Sequence, residues 1–465
     1  MIDTPRVAII GLDCGTPQLL FRDFEAETPN IHALMKRGMW GDLASITPPI
    51  TVPAWACAMT GQTPGQLGIY GFRNRKDTSY DGFSIATSNA IQAPAVWDAL
   101  GARGLRSLLI GVPPSYPPPS DFPGWRVGCF LTPPSAKSWA YPSELETEIM
   151  GELGDGSEYI FDIADFRRAG YDVVLDQVFQ MTERRFRVGR RLAKEKPWDF
   201  FMLCEIAPDR LHHVFWQNWD PSHPLHEPGN KYEGAFQEYY RFLDEQVGSL
   251  LDVLPEDAIT IVMSDHGARP MMGGFCFNDW LSREGYLALA AQPSHVMPIK
   301  DVAIDWDRTI AWGDGGYYGR LFLNVKGREP QGILDPARYE EVRDELIAKL
   351  EATSGPDGEP LGTKVLKPQD VYPEVRGVAP DLIVYFGDLA WRSVGSVGNR
   401  SIYTYENDTG PDGANHDRDG VWAMAGLPDQ PTGEVSGLNL VDVGPSILSM
   451  YGIEAPEGAV GRSFL

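Results

Sequence analysis

"AITIVMSDHG" (258–267) is an apolar, β-branched run that stops at a serine, an aspartate, a histidine and a glycine. It is too short for an ordinary helix and lacks the alternation of a half-exposed strand, so it reads as a strand buried on both faces. The same reading fits "RVAIIGLD" (6–13), "RSLLIGVP" (106–113) and "WDFFMLCE" (198–205). Helical spacing of apolar residues recurs between and beyond these runs, at 30–37, 53–60, 93–103, 173–193, 233–253, 336–351 and 440–450. Such alternation predicts a three-layer α/β sandwich, with a central, mostly parallel sheet covered by helices on both faces.

Ligands of such sheets collect beyond the carboxyl ends of the strands. Asp13, Glu205 with Asp209, and Asp265 with His266 all fall at such ends. The Pro- and Ser-rich segment 113–145 reads as an irregular excursion over the surface. A change of composition after 267 marks 268–410 as an inserted cap, leaving 1–267 and 411–465 as the core. Within the cap, Trp312, Tyr317 and Tyr318 lie near a Gly-rich turn; they either stack on a substrate ring or form cap core, and core is the expectation.

The 465 residues carry 40 basic and 64 acidic side chains, a formal charge of −24. That field repels polyanions and argues against a nucleic acid polymer or an anionic membrane as partner. A phosphate substrate would need local neutralisation, which bound divalent cations supply. The cysteines, Cys14, Cys57, Cys129, Cys204 and Cys276, are odd in number and form no C-x-x-C pair, a pattern of reduced thiols in the cytoplasm. No leader precedes the first strand and no apolar run approaches a membrane-spanning length, so a soluble, intracellular enzyme or binding protein is expected.

Asp265 and His266 sit where a strand becomes a loop, so both can turn toward one ion; taken alone they fit an Asp turn beside an exposed His as well. In "APDRLHHVFW" (207–216), Asp209 and His213 are four apart, stacked on one helical face, where carboxylate and imidazole can share a divalent metal. The alternative is a capping Asp with a half-buried His. His212 points about 100° away and is the weaker ligand candidate. In "TPPITVPAWACAMTG" (47–61), Thr51 precedes the first turn of a helix: it is a cap, or a nucleophile beside N–H groups that can hold a phosphoryl oxygen.

In this order the motifs resemble the alkaline phosphatase superfamily, in its branch of type I phosphodiesterases and nucleotide pyrophosphatases. "GLDCG" looks like the first metal-binding strand end, and "PPITVPAWACAMTGQTPGQLGIYGF" like the nucleophile loop and its helix. "PDRLHH" resembles the D-x-x-x-H element, "SDHG" the Asp-His element and "NHD" (415–417) the late histidine, while "NVKGREPQGIL" (324–334) is similar to a segment of bacterial members of uncertain substrate. The resemblance implies two divalent cations, zinc or alternatively manganese, one held by Asp13, Thr51, Asp265 and His266 and the other by Asp209, His213 and His416. It further implies hydrolysis of a small phosphodiester or pyrophosphate through a phosphothreonine on Thr51. The family's asparagine, about twenty residues past the nucleophile, falls here on Phe72, beside which Asn74, Arg73 or Arg75 can substitute; Arg favours a doubly charged monoester and Asn a diester. The rival expectations are a monoesterase, phosphonate hydrolase or phosphomutase with the same metals, and a non-catalytic, metal-stabilised binding protein.

Overall fold

The computed structural model describes residues 4–154, 156, 158–428 and 431–465. Its main sheet has ten strands. Val7–Leu12 lies at its centre, parallel to Phe200–Glu205 on one side and Ile259–Met263 on the other. Ser107–Ile110 and then Gly124–Val127 continue it in parallel beyond Phe200–Glu205. Asp419–Ala425 and Met39–Ala44 close the far side in antiparallel pairing.

Alternate side chains of each central strand enter opposite cores, as the period of two requires. Ala8, Ile10, Leu12, Phe201, Leu203 and Val262 pack beneath the helices Pro29–Arg37, Tyr171–Glu195, Ala207–Trp219 and Ala235–Leu251. Val7, Ile9, Phe200, Met202, Ile259 and Ile261 pack beneath Thr51–Thr60, Val96–Gly101 and Val443–Met450. The three-layer α/β sandwich expected from the alternation is therefore present, and the middle strand, Val7–Leu12, carries no polar side chain between the layers.

Two local expectations are corrected. The 113–145 segment is not irregular throughout: Gly124–Val127 adds a strand to the main sheet and Ala140–Tyr141 pairs with it. Gly124 has a φ of +136° and a Cβ there would meet the Ser107 carbonyl oxygen at 2.0 Å, so the strand enters the sheet only on a glycine. The helix expected at 53–60 begins two residues earlier, with Ile50 as its cap and Thr51 as its first residue. Pro53 sits in its first turn, where a missing N–H costs nothing.

The chain between Met263 and Asp419 builds a second, four-stranded sheet from Ala311–Asp314, Gly319–Leu323, Lys364–Leu366 and Leu382–Tyr385. Tyr339–Glu351 packs on it through Val342, Leu346 and Leu350. Trp312 is buried in this second core and Tyr318 in a smaller cluster with Tyr70 and Tyr385, as cap aromatics of the core kind should be. Tyr317 is described with the site.

Candidate metal centre

The parallel register places the ends of three strands side by side. Leu12 pairs with Glu205 and Gly11 with Met263, so the chain carries Asp13, Asp209 and Asp265 to one edge of the sheet. All three carboxylates are buried. A two-stranded ribbon then sets Ala268 opposite His416 and brings the His416 ring onto that of His266, with centroids 3.8 Å apart.

Gly11 matters to the placement of Asp13. A Cβ at position 11 would lie 2.7 Å from the Trp55 ring, so its absence lets the indole reach past the strand and donate from Nε1 to Asp13 Oδ2 at 2.8 Å. Cys14 follows in the left-handed region, at a φ of +64°, and its N–H donates to Asp265 Oδ1 at 3.2 Å. Thr51 caps nothing. Its Oγ1 lies 3.5 Å from Asp13 Oδ1 and 3.1 Å from His266 Nε2.

The three imidazoles share one arrangement. Nδ1 of His266 faces the Gly267 carbonyl oxygen at 3.0 Å, Nδ1 of His416 faces that of Pro49 at 2.7 Å, and Nδ1 of His213 faces Asp412 Oδ1 at 2.8 Å. A carbonyl or carboxylate acceptor fixes the proton on Nδ1, which leaves the Nε2 lone pair of each ring turned into the site. His213 Nε2, His416 Nε2, Asp209 Oδ1 and Asp265 Oδ2 are buried without a hydrogen-bond partner. Buried polar atoms are normally satisfied, so four acceptors converging without donors fit a cation. Among the described residues, two sets each bring ligand atoms within 4.8 Å of one another: Asp209, His213 and His416, and Asp13, Asp209 and His266. Asp209 belongs to both. Asp265 joins the second set through Oδ2, 3.2 Å from His266 Nε2.

The electrostatics agree. Burial and the Asp209 charge push Asp13 well above the usual carboxylate range, and burial with Asp13 does the same to Asp265. Burial and the neighbouring His416 push His266 well down. Burial also works to raise Asp209, but His213, His416 and Arg210 hold it well below its ordinary value. Three acids this close in a dry site repel one another, and a divalent charge removes the conflict.

The surrounding contacts include residues that the spacing of the motifs did not single out. Arg210 bonds Asp209 and donates from Nε to Asp162 Oδ1 at 2.7 Å. Asp412 also accepts from Arg167 Nε at 2.7 Å and Arg392 Nη1 at 3.3 Å; although burial works to raise it, His213 and Arg167 hold it below the carboxylate range. Tyr317 stacks on His416 at 4.1 Å and on His213 at 4.9 Å between centroids, and Arg167 bonds its hydroxyl. Tyr317 packs against the cluster of Tyr70 and Tyr385, as the expectation of cap core has it, and in addition presents its ring to the face of two histidines.

The other candidates lie elsewhere. Arg75 is buried against Glu329 and beneath the Trp312 and Phe322 rings. The Asn74 side chain accepts from Tyr70 N and donates to the Gly71 carbonyl oxygen, closing a local turn, and Arg73 is exposed. Glu205 pairs with Arg185 at 3.0 Å and belongs to the scaffold.

His212 turns away from the site, as its helical position requires. It stacks on Phe236 and faces the Tyr240 hydroxyl at 2.7 Å, and burial pushes its pKa down to about 3. A folded pKa below the unfolded 6.5 means that the unfolded chain takes up the proton first. Stability is therefore full above pH 6.5 and is lost as pH falls from there toward 3. Urea unfolding of wild type should lose about 2 kcal/mol between pH 7 and 5 from this group, and His212→Gln should lose correspondingly less. Equal losses in the two proteins would remove His212 from the acid response.

The sequence profile of the type I phosphodiesterase / nucleotide pyrophosphatase family matches residues 7–412. Six of the seven candidate ligands fall inside that span and His416 lies just beyond it. No curated protein matches the sequence. Human ectonucleotide pyrophosphatase/phosphodiesterase 5 has a similar structure, with a TM-score of 0.58 at 14% identity, over 99% of this chain and 97% of that one. The murine protein of the same name, solved as an inactive variant in complex with AMP, gives 0.57 at 13%, over 97% and 96%. At such identities the likeness is one of fold.

Proposed function

The chain belongs to the type I phosphodiesterase / nucleotide pyrophosphatase family, and on that premise we propose that it hydrolyses a small phosphodiester or pyrophosphate through a phosphothreonine formed on Thr51. Membership makes it a hydrolase of phosphoric ester or phosphoanhydride bonds. The observation that carries the finer reading is the set of three imidazoles, each with Nδ1 engaged and Nε2 turned toward buried carboxylates. Asp13, Thr51, Asp265 and His266 would hold one cation, and Asp209, His213 and His416 the other. When bound, these ions, which we take as zinc with manganese as the substitute, supply Lewis acidity to the phosphoryl and both apical oxygens.

Thr51 Oγ1 gives up its proton to water and attacks phosphorus as the bond to the opposite ester oxygen breaks, the pair of that bond leaving with the ester oxygen, which takes a proton from water. The first turn of the Thr51–Thr60 helix offers N–H groups to a non-bridging oxygen. Water then attacks phosphothreonine from the face the leaving group vacated, and Thr51 is regenerated. Asp412, by holding the His213 ring through Nδ1, is a positioning residue.

Charge balance favours a diester. Arg210 pairs with Asp162 and Asp209, Arg75 with Glu329, and Arg167 and Arg392 share Asp412, so each guanidinium nearest the site is already held in an ion pair and none is free to fork onto a dianion. AMP, bound by the murine relative, is consistent with a nucleotide product or substrate fragment. The five cysteines are buried and unpaired, which supports a reducing, cytoplasmic setting, and among the described residues no helix is long and apolar enough to cross a membrane.

Turnover of bis(p-nitrophenyl) phosphate and of p-nitrophenyl phosphate, before and after chelation, tests the reading. The diester should be the faster substrate and chelation should abolish its hydrolysis. Monoester turnover alone would favour the rival monoesterase, and metal-loaded protein inert toward both would favour a binding protein.

A further inference from the structure

Seven arginines are buried among the described residues. Six are ion-paired: Arg75 with Glu329, Arg185 with Glu205, Arg210 with Asp162, Arg320 with Asp314, Arg343 with Glu340 and Arg392 with Asp412. Arg126 is the exception: although it is only 6% exposed, none of the described carboxylates lies within 4.0 Å of it. The chain has 64 acidic residues from which to supply a partner. Burying an unpaired guanidinium is costly, and a methionine would fill the same space without that cost.

What Arg126 does have is a cavity. It stands on the Gly124–Val127 strand, with Nη2 donating to the Pro114 carbonyl oxygen at 3.1 Å and Nε without an acceptor. Its guanidinium lies over the Trp97 and Phe122 rings, 5.7 and 5.6 Å from their centroids. The three residues line a space of about 240 Å³ whose other walls include Met59, Pro113 and Pro117. Two exposed acids, Asp98 and Asp121, also border it. Burial lowers the Arg126 pKa to about 10, which leaves the group charged at neutral pH.

We propose that this cavity binds a small organic monoanion, a carboxylate on a compact apolar or aromatic body, with the carboxylate against Arg126 and the body against the apolar wall of Met59, Pro113 and Pro117. The apolar walls select the body, and the buried fork of Arg126 takes the two oxygens. Asp98 and Asp121 at the border repel a second negative charge, so a phosphate dianion is the poorer ligand. The cavity lies outside the ligand cluster that holds Thr51. The two are joined by a single helix, because Met59 belongs to the far end of Thr51–Thr60.

The test is titration of the full-length, metal-loaded protein with 4-fluorobenzoate and with its neutral isostere 4-fluorobenzamide, followed by fluorine NMR. The acid should bind wild type about tenfold more tightly than the amide or better, and Arg126→Met should remove that preference. Ala93→Trp, which places a large ring in the cavity wall, should weaken the acid as well and serves if Arg126→Met does not fold. Equal binding of acid and amide to wild type would overturn the proposal, as would undiminished acid binding in either variant or no binding up to roughly 10 mM. Displacement of the acid by an equal concentration of inorganic phosphate would overturn the preference for a monoanion.

Discussion

Thr51→Ala should keep its fold and its metal content and lose turnover by about a thousandfold or more. The fold should survive because the Thr51 side chain makes no capping bond and the helix is held by its buried faces, Ala54, Trp55, Ala58 and Met59 among them. The metals should stay because the carboxylates and imidazoles around the hydroxyl remain. What goes is the one oxygen placed against His266 Nε2 and Asp13 Oδ1 that can form a bond to phosphorus. Thr51→Ser should recover a measurable part of the rate, since it restores the oxygen without the methyl group. The measurements are steady-state turnover of the diester, metal analysis and thermal unfolding. An alanine variant that turns over at the wild-type rate would make Thr51 a scaffold residue, and the chemistry would then belong to water alone.

Asp209→Asn should have an effect of a different kind, the loss of metal from both positions. Asp209 is the only acid that falls in both ligand sets, and its Oδ1 lies 3.2 Å from His213 Nε2 and 3.5 Å from His416 Nε2. An amide oxygen is neutral and a much weaker ligand for a divalent ion, while Arg210 keeps Asp162 as its partner and the helix keeps its packing. Metal content should fall from about two per chain to below one, and diester turnover to the uncatalysed background. Asp265→Asn, which belongs to one side only, should retain the ion at Asp209, His213 and His416. If the two variants lose the same amount of metal, the shared position of Asp209 has no energetic consequence.

The parts of this molecule that were legible in its sequence are those in which a local pattern ends at a functional residue. Asp13 directly, and Asp265 after one serine, follow runs whose apolar composition needs burial on two faces, and a strand buried on two faces has to end at the edge of the sheet. Asp209 and His213 follow from the helical period in the same way. The first turn of the Thr51 helix was less readable, because Pro53 suggests a start that its tolerance in a first turn does not require. Gly124–Val127 was hidden by a Pro-rich neighbourhood, since its place in the sheet depends on a glycine passing close to Ser107. Asp412 and Tyr317 were beyond reach for a further reason. Each acts through a histidine about a hundred residues or more distant, and spacing along the chain carries no record of such a meeting. The phosphoryl-contacting role considered for Asn74 and Arg75 rested on distance along the chain from Thr51; in the fold Asn74 bonds Tyr70 and Gly71, and Arg75 pairs with Glu329.

The donors proposed for the centre are residues 13, 51, 209, 213, 265, 266 and 416, so nearly the whole polypeptide has to be in place before they meet. Contacts of such long sequence separation form late, because the entropy of closing the intervening loops is spent before they give anything in return. An ion seated there would thus have little to bind in the transition state for folding. Its stabilisation would appear almost entirely as slower unfolding, with the refolding rate nearly unchanged, so that metal would lengthen the lifetime of the native enzyme without guiding the chain toward it.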